Sequence, residues 1–170
     1  MNLAEYITNI PDFPQEGVIF RDITSLVENG EAFHAAIDQM AEKVADLDFD
    51  VIIGSEARGF VFGTPLAYAM HKPFVLVRKK GKLPRETVSA DYSLEYGTAT
   101  LEMHRDAVRP GQRVLIVDDL IATGGTIQAM IRMTESVGGV VAGVNVLMEL
   151  KELGGREALR GYRLDSVLIY

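Results

Sequence analysis

The residues best suited to chemistry fall in one stretch, Val114-Leu115-Ile116-Val117-Asp118-Asp119-Leu120-Ile121-Ala122-Thr123-Gly124-Gly125-Thr126. Two adjacent glycines let the backbone turn tightly and aim successive N–H groups at one point, where a helical pattern begins. Free N–H groups at a helix start form a natural phosphate site, and Thr123 and Thr126 add hydroxyl donors. The loop lacks the lysine of a Walker A sequence, which excludes an ATPase of that type. Asp118 and Asp119 repel phosphate, so their chemistry must be different: adjacent carboxylates at a strand end bind hydroxyls or hold a metal. The vicinal hydroxyls of a ribose whose phosphate sits in the glycine loop would suit both features. The bland alternative is an acid pair that caps a turn shaped by the glycines.

Two other groups of polar residues draw notice. Ser55-Glu56-Ala57-Arg58-Gly59 follows an apolar run, and Arg58 is a bidentate donor suited to phosphate oxygens. Arg78, Lys79, Lys80, Lys82 and Arg85 gather five of the seventeen basic residues into eight positions. On an acidic chain such a block is either a solvated surface or an anion site, and its place in the order of elements favours the second.

Those elements are legible. Val51 to Gly54, Phe74 to Val77, Val114 to Val117, Val140 to Met148 and Val167 to Ile169 are short apolar runs, as expected of strands covered on both faces. Between them, Phe33, Ala36, Ile37, Met40, Val44 and Leu47 recur at helical spacing, with His34, Asp38, Glu42 and Asp46 facing outward. Phe60 to Met70 is apolar nearly all round and predicts a buried helix. Ile127, Met130, Ile131, Thr134 and Val137 mark a third, stopped by Gly138-Gly139. Alternating strands and helices predict an α/β fold with an open, mostly parallel twisted sheet and flanking helices. In such sheets ligands bind beyond the carboxyl ends of the strands, where all three polar groups fall.

Composition narrows the function. The chain has 170 residues, enough for one domain with a real core, and 48% of them are hydrophobic. A net charge of −7 argues against a general nucleic-acid binder. Without cysteine there is no disulfide, thiolate nucleophile or cysteine metal site, and the three histidines are too scattered for structural zinc. No apolar run approaches the ~20 residues of a membrane span. No basic segment followed by an apolar run opens the sequence, so the expected location is the cytoplasm.

The stretch from Val114 to Thr126 resembles the phosphoribosyl pyrophosphate signature of type I phosphoribosyltransferases. The resemblance implies that Ala122, Thr123, Gly124, Gly125 and Thr126 hold the 5′-phosphate, and that Asp118 and Asp119 hold the ribose hydroxyls. Three more segments resemble the adenine-specific branch of that family and extend the match over nearly the whole chain. Pro11-Asp12-Phe13-Pro14 with Gly17 to Ile23 is similar to its small N-terminal hood, residues 1–30 here. Phe20 would stack on the base, the Ile19 carbonyl would accept from the adenine amino group, and the Arg21 N–H would donate to N1. Leu150 would press on the base from the other side. Glu56 to Phe60 resembles the pyrophosphate loop, which places Arg58 on the leaving group and implies a cis peptide at Glu56–Ala57. Many relatives carry serine where this chain has Ala57. Residues 78–97, about twenty with weak secondary-structure signal, resemble a flexible lid. In it Lys79 and Lys82 would bind pyrophosphate, Arg78 would reach a neighbour's pyrophosphate across a homodimer, and Glu95 would be the catalytic carboxylate with Tyr96 beside it.

The resemblance therefore implies one phosphoribosyltransferase domain over 1–170. Its reaction would transfer phosphoribosyl from phosphoribosyl pyrophosphate to adenine, with Mg²⁺ carried on that substrate and no protein metal ligand assigned. It implies no nucleic-acid or membrane partner. A transferase for xanthine or another purine, and a phosphoribosyl pyrophosphate-sensing regulator, remain as rivals. A regulator needs a DNA-binding extension or a basic RNA face, and this chain has neither.

Overall fold

A computed structural model describes residues 1–94 and 97–170. The chain divides into two compact units, Met1–Gln39 and Met40–Tyr170.

The first unit holds a two-stranded antiparallel ribbon, β1 (Thr8–Pro11) and β2 (Ile19–Asp22), with Ile10 opposite Phe20. The connection turns at Asp12 and Gly17, both with positive φ, and the Gly17 N–H donates to the Asp12 carboxylate at 2.8 Å. Phe13 and Phe20 meet edge to face with centroids 5.2 Å apart. Short helix α1 (Thr24–Val27) follows, and α2 (Gly30–Lys43) runs across the boundary between the units. The expected α2 pattern holds: Ala36, Ile37, Met40 and Val44 are buried, while His34, Asp38 and Glu42 are exposed.

The second unit is built on a seven-stranded sheet: β3 (Val51–Ser55), β4 (Phe74–Lys79), β5 (Thr87–Leu94), β6 (Gly97–His104), β7 (Arg113–Ile121), β8 (Val140–Glu149) and β9 (Leu164–Ile169). Their order is β5-β6-β4-β3-β7-β8-β9. The run β4-β3-β7-β8-β9 is parallel, and β5 and β6 add an antiparallel hairpin at one edge. Helix α3 (Arg58–Ala69) connects β3 to β4, α4 (Gly125–Ser136) connects β7 to β8, and the short α5 (Gly155–Ala158) precedes β9. From the β3–β7 seam one crossover moves outward to β4 and the other to β8, which makes the seam the switch point of the sheet. The core follows from the apolar runs: Val51, Ile53, Val114, Ile116, Val144 and Val146 pack with Ile127, Met130 and Ile131 of α4.

Three expectations need correction. The strand begun at Val114 continues through Asp118 and Asp119 to Ile121, because ladder pairing with β8 persists as far as Glu149. Helix α3 is not buried all round: Phe62, Gly63, Leu66 and Ala67 are buried, but Tyr68 is 87% exposed. Residues 78–97 are not mainly loop, since Arg78 and Lys79 end β4 and Thr87 to Leu94 pair with Gly97 to His104 in a regular ladder. Among the described residues, no helix is long and apolar enough to cross a membrane.

Candidate active site

The carboxyl ends of β3, β4 and β7 open on one cleft of about 300 Å³. Two helices start at its wall. Helix α3 begins at Arg58 after Ala57, and α4 begins at Gly125 after Gly124; neither has a side chain capping its first turn. Gly124 takes φ 93°, the left-handed conformation that turns the chain from β7 into α4 at no steric cost. Each helix start presents amide N–H groups and the positive end of a dipole, an arrangement that favours anions at both places on the rim.

Between them lies the acid pair. Asp118 and Asp119 are 7% and 4% exposed, on the floor formed by β7. The Asp118 carboxylate accepts from the Ser55 hydroxyl at 3.4 Å and from the Asp119 N–H at 2.9 Å. Asp119 meets the Arg58 guanidinium at 3.1 Å. Burial, followed by the neighbouring Asp119 charge, pushes the Asp118 carboxyl well above the usual carboxylate range. An acid with a raised folded pKa binds its proton more tightly folded than unfolded. Its stabilisation is complete below the unfolded value near 3.8 and is lost as pH rises through the folded value. Each unit of elevation is worth about 1.4 kcal/mol. Asp118→Asn should therefore gain most over the parent at alkaline pH, and the advantage should shrink as pH falls through the folded value toward 3.8. The lowered carboxylates elsewhere act equally in both proteins and cancel. Parallel melting-temperature curves would show that Asp118 is not destabilised in its buried seat.

A second acid organises the basic block. Glu56 accepts the Lys79 N–H at 2.8 Å, faces the Arg78 guanidinium at 3.3 Å and lies 3.6 Å from the Lys82 ammonium. The Lys79 N–H, then Lys82 and Arg78, hold its carboxyl below the usual range against the opposing effect of burial. The Glu56–Ala57 peptide is cis.

The expected residues are thus only partly gathered. Arg58, Lys79, Asp118, Asp119, Ala122, Thr123, Gly124, Gly125 and Thr126 line the cleft. Arg78 and Lys82 are not among the lining residues, but both pair with Glu56, which is. Leu150 is half-buried, its N–H donates to the Ile121 carbonyl at 3.0 Å, and it is not among the lining residues. Ile19, Phe20 and Arg21 lie on β2 of the first unit. Glu95 and Tyr96 lie outside the described residues. Sequence reading missed Ser55 as a partner of Asp118 and Glu56 as the hub of the cations. It also missed Tyr92, Ser93 and Leu101, which the hairpin contributes to the wall. Their signal was the alternation of Val88, Ala90 and Tyr92, which pack on the core, with exposed Ser89, Asp91 and Ser93.

Two helix starts that flank a buried acid pair at the switch point of a parallel sheet are chemically suited to a sugar carrying phosphates, and residues 24–166 match the family described as phosphoribosyl transferase domain. An adenine phosphoribosyltransferase of Lachnoclostridium phytofermentans is 57% identical over 168 residues, covering 99% of this chain and 97% of the relative. The crystal structure of adenine phosphoribosyltransferase from Thermoanaerobacter pseudethanolicus superposes with a TM-score of 0.96 at 50% identity, over 99% of this chain and 98% of that one. The Saccharomyces cerevisiae enzyme, solved with an imino-altritol bisphosphate and adenine, gives 0.92 at 38% identity, over 98% and 96%. The chain belongs to the adenine phosphoribosyltransferase family.

Proposed function

We propose that this protein transfers the 5-phosphoribosyl group of phosphoribosyl pyrophosphate to adenine, giving AMP and pyrophosphate, a purine salvage reaction. The observation that carries the reading is that one cleft holds the Asp118–Asp119 pair between the starts of α3 and α4. In this reading the residues from Ala122 to Thr126 take the 5′-phosphate, and the acid pair takes the 2′- and 3′-hydroxyls. Ala57, Arg58 and the lysines Lys79 and Lys82 take the pyrophosphate. For the diphosphate to bind, Arg58 exchanges Asp119 for phosphate oxygens, and Lys82 likewise leaves Glu56.

The C1–oxygen bond to pyrophosphate breaks and its electron pair leaves with pyrophosphate. Positive charge grows on the sugar above the two carboxylates, which are fixed in place before the reaction begins. Adenine N9 then forms the new bond to C1, and its proton passes to Glu95 as general base. Tyr92 and Ser93, three and two positions before Glu95 in the sequence, line the cleft. Residues 78–97 serve as the lid that keeps water from the sugar cation.

Mg²⁺ would arrive on the substrate's own oxygens, with no protein ligand assigned to it, and would supply charge neutralisation for the departing pyrophosphate. The reading also takes the protein to be a cytoplasmic homodimer, with Arg78 extending to the second copy.

Residues 1–30 are read as a hood that supplies the base reader. Residues two apart on a strand direct their backbone groups to the same edge, so the Ile19 carbonyl and the Arg21 N–H form an acceptor–donor pair on β2. That polarity suits a 6-amino purine and mismatches a 6-oxo purine, whose N1 carries a proton. Buried polar groups left unpaired by the wrong base reject it strongly. Assayed side by side with phosphoribosyl pyrophosphate, adenine should be the only efficient acceptor. Turnover of hypoxanthine or xanthine within tenfold of adenine would refute the pairing.

A further inference from the structure

Behind the phosphate loop, outside the cleft, lies a polar cluster with no part in the reaction as described. Glu149, the last residue of β8, is 2% exposed. The Arg156 guanidinium grips it as a fork, Nε at 2.9 Å and Nη2 at 2.6 Å. The Ser166 hydroxyl of β9 donates to the same carboxylate at 2.5 Å, and Arg156 Nη1 donates to the Leu164 carbonyl at 3.1 Å. One residue of α5 is thereby fixed to two strands.

The neighbouring residue explains what this fixes. A Cβ on Gly155 would stand 2.5 Å from the Ala122 carbonyl oxygen and 2.6 Å from Ile121 Cγ1. The backbone of α5 therefore rests directly on the back of the phosphate loop, and only glycine permits that approach. From the other end, Gln128 of α4 donates to the Ala158 carbonyl at 3.1 Å. The loop lies between the cleft on one side and α5 on the other. A buried carboxylate held by an arginine fork is no better for stability than well-packed apolar side chains, but it fixes geometry in a way they do not.

We propose that Glu149 and Arg156 are positioning residues for the 5′-phosphate: they hold α5 against the loop, and Gly155 is the contact through which they set the direction of its amides. The inference rests on the phosphate-loop reading given above. Anion binding by backbone N–H groups depends on their direction, so a shift of a few tenths of an ångström behind the loop weakens it selectively.

The test titrates ribose 5-phosphate and pyrophosphate separately into the parent, Gly155→Ala, Arg156→Lys and Arg156→Ala. Melting temperatures and the KM for phosphoribosyl pyrophosphate are measured alongside. Gly155→Ala should weaken ribose 5-phosphate by at least tenfold and raise that KM in proportion, while pyrophosphate affinity stays within twofold. Arg156→Lys retains charge without the fork and should lie between the parent and Arg156→Ala for ribose 5-phosphate. Equal weakening of both ligands would mean general loosening and would overturn the proposal, as would unchanged ribose 5-phosphate affinity in a variant that melts lower. A parent that binds neither ligand would remove the phosphate-loop reading itself, an outcome distinct from either result on the variants.

Discussion

A protein carrying Asp118→Asn and Asp119→Asn is expected to fold, to melt no lower than the parent and to lose at least a hundredfold in kcat/KM for phosphoribosyl pyrophosphate. The two acids contribute in two ways under the proposed reaction. In the bound substrate each carboxylate accepts a charge-assisted hydrogen bond from a ribose hydroxyl, about twice as strong as the neutral bond an amide would offer. At ~1 kcal/mol lost per bond, binding alone accounts for roughly thirtyfold. The rest comes from the sugar cation, which the pair stabilises only while charge is developing, so the loss should fall on kcat as well as KM. Stability moves the other way, because the raised Asp118 carboxyl shows that its charge is held at a cost. Release of Arg58 from Asp119 should leave pyrophosphate binding intact or tighter. Steady-state kinetics, pyrophosphate titration and thermal melts test each part. Catalytic efficiency within threefold of the parent would end the ribose assignment.

Glu95→Gln should lower turnover by about 10²–10⁴-fold, the usual contribution of a general acid–base group. Glutamine keeps the size and most of the hydrogen-bonding reach but takes up no proton, so chemistry should suffer and binding should not. Phosphoribosyl pyrophosphate affinity should hold, because the sugar and its phosphates are assigned to Arg58, the acid pair and the residues from Ala122 to Thr126. Melting temperature should be nearly unchanged, because β5 and β6 pair along the whole length from Thr87–His104 through Leu94–Gly97. A drop in phosphoribosyl pyrophosphate affinity alone would make Glu95 a positioning residue and move proton transfer elsewhere. Turnover within threefold of the parent would leave it an ordinary acid of the lid.

The central strands were plain in sequence because Val51 to Ile53 and Val114 to Val117 are buried on both faces, and burial on both faces forces continuous apolar runs. The same rule hid the end of β7: Asp118 and Asp119 interrupt the run, although the ladder continues to Ile121. The hairpin was missed for the opposite reason. It packs on one face only, so its signal is alternation, and glycine and basic residues before it suggested a loop. In the site, the phosphate loop, acid pair and Arg58 were readable because each residue type suits one task. Glu56 and Ser55 were not, since their significance lies in partners 22 to 63 positions away along the chain. Arg78 and Asp118 become those partners only once β4 and β7 flank β3.

The β3–β7 seam also bears on how the protein reaches its working state. Ser55 and Arg58 belong to one strand–helix unit, while Asp118 and the phosphate loop belong to another, and the Ser55–Asp118 bond spans 63 residues. Neither unit contains a usable half: one has an anion site without the acids, the other the acids without the arginine. Each β-α-β segment forms its contacts locally, but the seam requires closure of a long intervening chain, the slow class of event in folding. Catalytic competence should therefore return late in refolding, after helical structure, and in step with the cooperative closing of the whole sheet.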